Sequence, residues 1–453
     1  MRFSRSAYAY HRVLMTTLAV LTTVITARAE VIHVPGDQPS IGAAIAAAQP
    51  GDTVLVADGT YTGPDNRDMT YGGKAITVRS ENGPEDCIID CENEGRAFIF
   101  DSEESNAAIL EGFSIINGIA PLGNGGGVDI ALSSHPTIHN CVFRDNSCIG
   151  LGGGMAVRGE CVPIITGCTF INNVAFGDQE GAEGGGLCLF FLSPATVRDC
   201  VFLDNFSVWG GGLACALSDA TVSNCLFAGN DALIGGGGAA CDVANPRFVN
   251  CTFAENAADY GGGVAGISFY LESNPVIENS ILWGDGPDEI EVLNGVATVR
   301  YSDVQGGWNG TGNINANPAF EGDTLDPLKD FQLSGSSPCI DAGDNTAVPG
   351  DVTTDLAGNA RFVDDPDTED TGHGTPPIVD MGALEYQVQA CPADFDGDGD
   401  VDTADLLFLL SAWGTPEGDV DGDGDTDTAD LLALLAAWGE CPWEKAESGK
   451  AES

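Results

Sequence analysis

Hydrophobic residues in the middle of the chain recur at a fixed spacing around a cysteine. The first full copy reads Asn140-Cys-Val-Phe-Arg-Asp-Asn146, with the apolar Ile138 three positions before the Cys and Phe143 two positions after it. Five intact copies follow one another at steps of 25 to 32 residues, and their cysteines are Cys141, Cys168, Cys200, Cys225 and Cys251. Because a Cys and the Phe two positions later face the same side of an extended chain, each copy predicts a short strand with one buried face.

A second marker, a Gly triplet, recurs between the cysteines and stays in phase with them. Triplets begin at positions 125, 152, 184, 210, 236 and 261, and each precedes an alternating apolar segment. Each repeat therefore supplies about three short strands and three corners, and an Asn five positions after the Cys is suited to the left-handed bend of a corner. Two interleaved markers with a period near 26 predict a mainly β solenoid over residues 63–320, a single-stranded right-handed parallel β-helix.

The segment before the repeats predicts a cap for the open end of the solenoid. Residues 38–49 form the pattern of a short amphipathic helix, with Ile41 and Ile45 one turn apart, and a strand and a turn follow. This opening, over residues 30–62, resembles the N-terminal cap of pectate-lyase-like right-handed β-helix proteins of bacteria. The resemblance continues through the coils to about residue 320 and implies an extracellular, carbohydrate-related function.

Enzymes of that fold use a groove along one strand face, with paired carboxylates or with Ca²⁺ and an Arg or Lys base. The candidate bases in the coils are Arg144, Arg158, Arg198, Arg247 and Arg300, and no lyase motif surrounds them. Asp145 and Asp204 share a column with Asn172 and Glu255. The two Asp residues either form an acid pair about 10 Å apart or belong to a solvated acidic edge. The catalytic residues therefore stay unknown. Aromatic residues that either stack on sugars or cover gaps between coils are Phe176, Phe206, Trp209, Tyr260, Phe269 and Tyr270.

Three motifs mark the terminal coils over residues 321–390. They are Ser337-Pro-Cys-Ile-Asp-Ala-Gly-Asp344, Asp355-Leu-Ala-Gly-Asn-Ala-Arg361 and Val379-Asp-Met-Gly-Ala-Leu-Glu385. Together they resemble the C-terminal segment of the choice-of-anchor Q group, whose members are secreted β-helix proteins with interchangeable attachment modules. The acids of these motifs either brace loops or form an extra cation site; they are Asp341, Asp344, Asp355 and Asp380.

The C-terminal segment carries a duplicated acidic loop with the spacing of a calcium site. Carboxylates at loop positions 1, 3 and 5, a Gly at 6, a carbonyl at 7 and a carboxylate at 12 surround one hard cation, and the loop returns after 25 residues. Each loop leads into an apolar helix, so the pattern predicts two Ca²⁺ ions whose binding drives folding. The predicted ligands are Asp394, Asp396, Asp398, Asp400, Asp405, Asp419, Asp421, Asp423, Asp425 and Asp430.

Two loops that each precede a single helix, with Asp at position 12, resemble a type I dockerin. The resemblance implies that residues 391–442 form a module that docks onto a cohesin domain. It also implies contacts through loop positions 10 and 11, which are Thr403, Ala404, Thr428 and Ala429. The connector Gly414-Thr-Pro-Glu-Gly418 is shorter than in cellulosomal dockerins. Cys391 and Cys441 flank the module and are expected to form a disulfide, whereas the Cys column of the coils is expected to be buried and free. Residues 443–453 are expected to be a disordered tail.

Charge and the N-terminus restrict the location and the partners. The 453 residues include 17 Lys and Arg against 68 Asp and Glu, a net charge of −51, which excludes a nucleic-acid partner. Residues 1–29 combine Arg residues, a short apolar run and the cleavage site Ala27-Arg28-Ala29, so they predict a secretory signal peptide. No later stretch is long and apolar enough to span a membrane.

The expected protein is thus a secreted, calcium-binding β-helix that binds or acts on extracellular polysaccharide. Its dockerin-like module would attach it to a scaffold or cell surface. The alternative is a polysaccharide lyase or glycoside hydrolase of the same fold.

Overall fold

Four parallel sheets wind together into the right-handed solenoid that the repeats predict. The computed structural model describes residues 28–121, 123–177, 183–266, 271–322, 326–366, 368–387, 393–395, 400–420 and 424–440. The predicted signal peptide up to residue 27 and the predicted tail lie outside these residues. Sheet A has eleven strands, in chain order Val31–Val34, Thr53–Val56, Thr77–Ser80, Ile109–Glu111, Thr137–His139, Ile164–Thr166, Thr196–Arg198, Thr221–Ser223, Arg247–Val249, Val276–Glu278 and Thr298–Arg300.

Sheets B and C follow sheet A around most coils, and sheet D is present in fewer of them. Sheet B contains Gly59–Tyr61, Cys87–Asp90, Ser114–Ile116, Val142–Arg144, Thr169–Ile171, Val201–Leu203, Leu226–Ala228, Thr252–Ala254, Ile281–Trp283 and Asp303–Val304. Sheet C contains Met69–Thr70, Phe98–Phe100, Val128–Ile130, Met155–Arg158, Leu187–Phe190, Leu213–Ala216, Ala239–Asp242, Val264–Gly266 and Ile290–Val292. Sheet D is confined to the middle coils and contains Ile119–Ala120, Ser147–Cys148, Val174–Ala175, Phe206–Trp209 and Asp231–Gly235. Sheet D adds a fourth strand where the sequence predicted about three.

Helices are few in the described part of the chain. The α-helices are Ile41–Ala47, Pro327–Asp330, Thr403–Ser411 and Thr428–Ala436, and the 3₁₀ turns are Pro64–Asn66 and Pro416–Gly418. No helix in these residues is long and apolar enough to cross a bilayer. A small antiparallel pair joins Asp400–Val401 to Gly439–Glu440.

The interior of the coils consists of columns of similar side chains, as the spacing predicted. Ile138 pairs with Ile165 in sheet A, and Phe143 pairs with Phe170 in sheet B, exactly one repeat away in each case. Five Phe rings, those of Phe143, Phe170, Phe202, Phe227 and Phe253, stack with centroids 4.6 to 4.9 Å apart. All five are fully buried, and each contributes about 1.5–3 kcal/mol of hydrophobic stabilisation.

The Cys column is buried and unbridged, as predicted. All thirteen cysteines in the described residues are free and buried. The Cys141 thiol lies 3.3 Å from the carbonyl of His139, two residues before it. Burial raises the pKa of Cys141 and of Cys87 to about 12, so these thiols stay protonated and unreactive.

The predicted Asn column forms a continuous buried ladder of amides. Asn146 Nδ2 donates to Asn173 Oδ1 at 3.0 Å, and the same contact repeats at 2.8 to 2.9 Å through Asn205, Asn230 and Asn256 to Asp285. The prediction that these Asn residues adopt the left-handed bend is wrong. The bend lies one residue earlier, at Asp145 with φ +57° and its equivalents, because the ladder residue turns its side chain inward.

A short helix caps the first coil where the sequence predicted one. Helix Ile41–Ala47 buries Ile41, Ala44 and Ile45 against the core. Ser40 Oγ accepts a hydrogen bond from the Ala43 N–H, and Asn66 Oδ1 accepts one from the Ile41 N–H. A Cβ at Gly42 would lie 2.5 Å from the Asp65 carbonyl, so only Gly permits this close approach.

The terminal segment, residues 326–387, folds back along the corner between sheets A and B. Asn224 Nδ2 donates to the Thr354 carbonyl at 2.6 Å, and Asn250 Nδ2 donates to the Asp380 carbonyl at 3.0 Å. Asn279 exchanges two hydrogen bonds with the backbone of Asp344. These contacts bury the outward side chains of sheet B in the last coils, whereas the same face stays partly open in earlier coils.

Candidate functional site

The C-terminal module, described at residues 393–395, 400–420 and 424–440, has its own small core. Val401, Leu409 and Leu434 are fully buried in it, and the rings of Phe395 and Phe408 lie 4.8 Å apart. The two helices, Thr403–Ser411 and Thr428–Ala436, have the same length and the same capping box. The duplication read from the sequence therefore extends to the local structure.

The carboxylates at loop position 12 are buried and held in the same way in both halves. Asp405 accepts the N–H of Phe395 at 2.6 Å and the N–H of Asp402 at 2.8 Å. Asp430 accepts the N–H of Val420 at 2.7 Å and that of Asp427 at 2.6 Å. Each carboxylate oxygen has two lone pairs, so it can accept an N–H and still ligate a cation.

The described part of the second loop turns at its glycine. Asp419 Oδ2, at loop position 1, accepts the N–H of Gly424 at position 6, and Gly424 has a φ of +101° that only Gly adopts readily. Residues 391–440 hold fourteen acids and no Lys, Arg or His, so no side chain of the segment can neutralise them. Oxygen ligands of this density are those that Ca²⁺ takes. Asp394 and Asp425 lie within the described residues, whereas Asp396, Asp398, Asp421, Asp423, the Asp400 side chain, Cys391 and Cys441 lie outside them.

The predicted partner contacts are all exposed, at the N-terminal ends of the two helices. Thr403, Ala404, Thr428 and Ala429 stand at equivalent positions 25 residues apart. The structure also shows exposed apolar side chains on the same two helices and just after their ends. These are Leu407, Leu410 and Trp413 and their equivalents Leu432, Leu435 and Trp438.

Four of the five candidate bases of the coils are engaged in ion pairs. Arg158 pairs with Asp129 at 2.9 Å, and Arg198 pairs with Asp351 at 2.6 Å. Arg247 and Arg300 both pair with Glu278, at 2.7 and 2.6 Å. Arg144 lies half-buried on the outer face of sheet B and forms no ion pair within the described residues. It is the one candidate base of this set that the fold leaves available.

The candidate acid column has a structural explanation. Asp145, Asn172, Asp204 and Glu255 are exposed at a corner and share left-handed backbone angles, with φ between +51° and +59°. Asn and Asp tolerate this conformation better than other side chains. The corner geometry therefore accounts for the Asp and Asn residues of this column.

Among the candidate aromatic residues, some pack between coils and others are exposed to solvent. Trp209 packs on the buried Ala240 and Ala265 and so fills a gap between layers. Phe176 is 57% exposed directly after the strand Val174–Ala175, and Tyr260 is 42% exposed opposite Gly235. Ile149, directly after Ser147–Cys148, and Leu233, within Asp231–Gly235, are also exposed, and we call these four residues the sheet D ridge. Phe269 and Tyr270 lie outside the described residues.

Three of the four motif acids in the terminal segment brace loops. Asp355 accepts the N–H groups of Asn359 and Glu385, and Asp380 accepts those of Asp341 and Tyr386. Asp344 accepts hydrogen bonds from the Thr346 N–H and hydroxyl and pairs with His373 at 2.9 Å. Burial raises the pKa of Asp380 to about 7. The fourth acid, Asp341, is buried, and its carboxylate accepts a hydrogen bond from the N–H of Asp365.

Comparisons with known proteins concern the coils. The family model of the right-handed β-helix region matches residues 48–202 and 151–280, which together span just over half of the chain. No curated protein matches the chain. Among solved structures, the crystal structure of pectate lyase Pel9A matches with a TM-score of 0.45 and 16% identity, covering 79% of this chain and 96% of that one. The family match ends before the terminal segment and the C-terminal module.

Proposed function

The chain belongs to the right-handed β-helix family, and on that basis we propose that it is a secreted protein that binds extracellular polysaccharide along the side of its coils. Its C-terminal module would bind two Ca²⁺ ions and attach the protein to a scaffold or cell surface. The observation that carries the polysaccharide proposal is the sheet D ridge, whose exposed apolar and aromatic side chains come from four of five successive coils, with the buried Val208 on the coil between Phe176 and Leu233. Contiguous exposed apolar surface marks interaction sites, and we propose that these four residues act together as one.

The shape of the ridge favours a linear polymer over a compact ligand. Successive coils are about 4.8 Å apart, so the ridge extends over four coil steps, or about 19 Å. Phe176 and Tyr260 offer flat apolar faces, on which the C–H face of a sugar ring can pack. Residues 30–390 hold 51 acids and 11 bases, a net charge of −40, which favours neutral polysaccharides over strongly anionic ones.

The test is retention of the full mature chain in gels that contain single soluble polysaccharides, neutral and acidic. The double variant Phe176→Ala/Tyr260→Ala is expected to lose most of the retention seen with the binding polysaccharide. Phe191→Ala/Leu217→Ala is the matched control, because both residues are exposed at the turn between sheets C and A. Equal retention of wild type and the ridge variant would contradict the proposal, as would no retention by any polysaccharide.

The attachment proposal concerns a cohesin-type partner of the C-terminal module. It is supported by the exposure of Thr403 and Thr428 at equivalent ends of two equivalent helices. If either face can dock, Thr403→Asp and Thr428→Asp should each leave binding to a cohesin-type domain intact, and only the double variant should lose it. Loss of binding in a single variant would contradict a two-fold site, and no binding by wild type in Ca²⁺ would contradict the partner class.

A second candidate function, a polysaccharide lyase or glycoside hydrolase, is favoured by Arg144. Its guanidinium lies on the partly open face of sheet B without an ion-pair partner among the described residues, and the acid Asp145 follows it. The test is release of reducing ends or unsaturated products from the same polysaccharides, with and without EDTA. Turnover that Arg144→Ala abolishes would establish the enzyme, and turnover by neither protein would exclude it for those substrates.

A further inference from the structure

A second group of carboxylates converges within the terminal segment, outside the C-terminal module. Asp341 lies in the first motif of the terminal segment, and Asp364 and Asp370 lie in the acidic stretch that follows Arg361. One carboxylate oxygen from each of the three residues lies within 4.8 Å of the other two. Asp341 is buried, whereas Asp364 and Asp370 are exposed, so the group opens to solvent on one side.

The Asp341 side chain is the observation that distinguishes this group from an ordinary acidic surface. The residue is 0% exposed, and its Oδ2 accepts the N–H of Asp365 at 3.2 Å. Its Oδ1 is buried and has no hydrogen-bond partner among the described residues. A buried carboxylate oxygen without a partner costs about 1–3 kcal/mol or more, and a bound cation would offset this cost.

The basic residues of the terminal segment are engaged elsewhere. Arg361 lies 3.5 Å from Glu385 and donates to the carbonyls of Asp380 and Gly382. His373 pairs with Asp344, and Lys329 lies near Asp326. In the described residues, none of these basic side chains forms an ion pair with Asp341, Asp364 or Asp370.

We propose that Asp341, Asp364 and Asp370 bind a divalent cation, for which Ca²⁺ is the best match, at a site separate from the two loops of the C-terminal module. All three ligands are hard oxygens, which Ca²⁺ prefers, and its variable coordination suits two ligands from an exposed loop. The ion would supply the partner that Asp341 Oδ1 lacks among the described residues. It would also hold Asp364 and Asp370 against Asp341, which lies beside Asp380 where the terminal segment packs on the coils.

The test is the number of Ca²⁺ ions bound by the full mature chain in equilibrium dialysis. Asp364→Asn/Asp370→Asn is expected to bind one ion fewer than wild type, and both residues are exposed, so the fold should survive. Asp145→Asn/Asp204→Asn removes the same charge at an exposed corner and should bind as many ions as wild type. Equal stoichiometry of wild type and Asp364→Asn/Asp370→Asn would overturn the proposal.

A second background separates this site from the loops of the C-terminal module. In Asp405→Asn/Asp430→Asn, one ion per chain should remain bound, and adding Asp341→Asn should remove it. If the loops bind no Ca²⁺, the wild type would bind one ion, at the proposed site. That result would support this proposal and contradict calcium binding by the C-terminal module. No bound ion in the Asp405→Asn/Asp430→Asn background, with the β-sheet signal of the coils intact in circular dichroism, would overturn the proposal.

Discussion

Asn256 Nδ2 donates to Asp285 Oδ1 at 2.8 Å, so a carboxylate completes the ladder of buried amides. The second oxygen, Oδ2, is buried without a hydrogen-bond partner among the described residues. Burial, followed by the nearby charge of Glu289, raises the pKa of Asp285 well above its usual range. The end of the ladder is therefore a point where protonation affects stability.

We expect Asp285 to make the fold less stable as the pH rises. The unfolded carboxyl ionises near pH 4, while the folded carboxyl keeps its proton to higher pH. Between the two pKa values the folded state binds more protons, so the free energy of unfolding falls as the pH increases. Asp285→Asn should remove this dependence and raise stability at neutral pH by about 1–3 kcal/mol.

The measurement is urea denaturation of both proteins at pH 5 and pH 8. The gain of Asp285→Asn over wild type should be larger at pH 8. Asp145→Asn, at an exposed corner, is the control and should change stability little at either pH. A variant less stable than wild type at pH 8 would contradict the assignment of the buried charge.

The residues inside the ladder should be the polar residues of the coils whose substitution lowers stability most. Asn173 is 0% exposed, donates to Asn205 Oδ1 and the Phe143 carbonyl, and accepts from the N–H and Nδ2 of Asn146. Asn173→Ala should lower the free energy of unfolding by about 3–5 kcal/mol, since several buried groups lose partners. Asn172→Gly, at the left-handed residue beside it, should be nearly neutral in the same denaturation experiment. Similar losses in both variants would show that the ladder contributes no special stability.

Thiol reactivity tests both the Cys column and the proposed disulfide. The thirteen cysteines of the described residues are free and buried, so none should react with a thiol reagent in the native protein. With Cys391 and Cys441 joined, thirteen thiols should react after unfolding and fifteen after unfolding with reduction. Rapid labelling of the native protein at Cys391 or Cys441 would exclude the disulfide, and rapid labelling at the coil cysteines would contradict their burial.

Removal of calcium should unfold the C-terminal module and leave the coils folded. Without cations, the fourteen acids of residues 391–440 repel one another. EDTA should therefore reduce the helical circular dichroism and change the fluorescence of Trp413 and Trp438, and Ca²⁺ should restore both. Asp405→Asn/Asp430→Asn should show the EDTA spectrum even in excess Ca²⁺, and an unchanged spectrum in EDTA would contradict calcium-dependent folding.

The sequence predicted the interior of the coils residue by residue. Ile138, Cys141 and Phe143 recur in phase, and the alternation of a strand fixes which side each one faces. The left-handed corner was assigned to Asn146 and lies at Asp145, since polarity alone does not show which of two adjacent polar residues turns inward.

Other features depend on contacts that no local pattern reveals. The strand Ser147–Cys148 of sheet D has two residues, too few for a visible alternation. Asn224 contacts Thr354 across 130 residues of sequence, so the packing of the terminal segment on the coils could not be predicted. Asp341 was singled out as a candidate ligand, but Asp364 and Asp370 belong to an acidic stretch without a motif.

The central claim is that a linear polysaccharide binds along the sheet D ridge, and a length series of one bound glycan tests it most directly. The affinity of oligosaccharides, measured by titration calorimetry, should increase with length until the ligand spans the ridge, about 19 Å over four coil steps, and then level off. Phe176→Ala/Tyr260→Ala should remove this length dependence. An affinity that is already maximal for a mono- or disaccharide, or that the ridge substitutions leave unchanged, would contradict the claim.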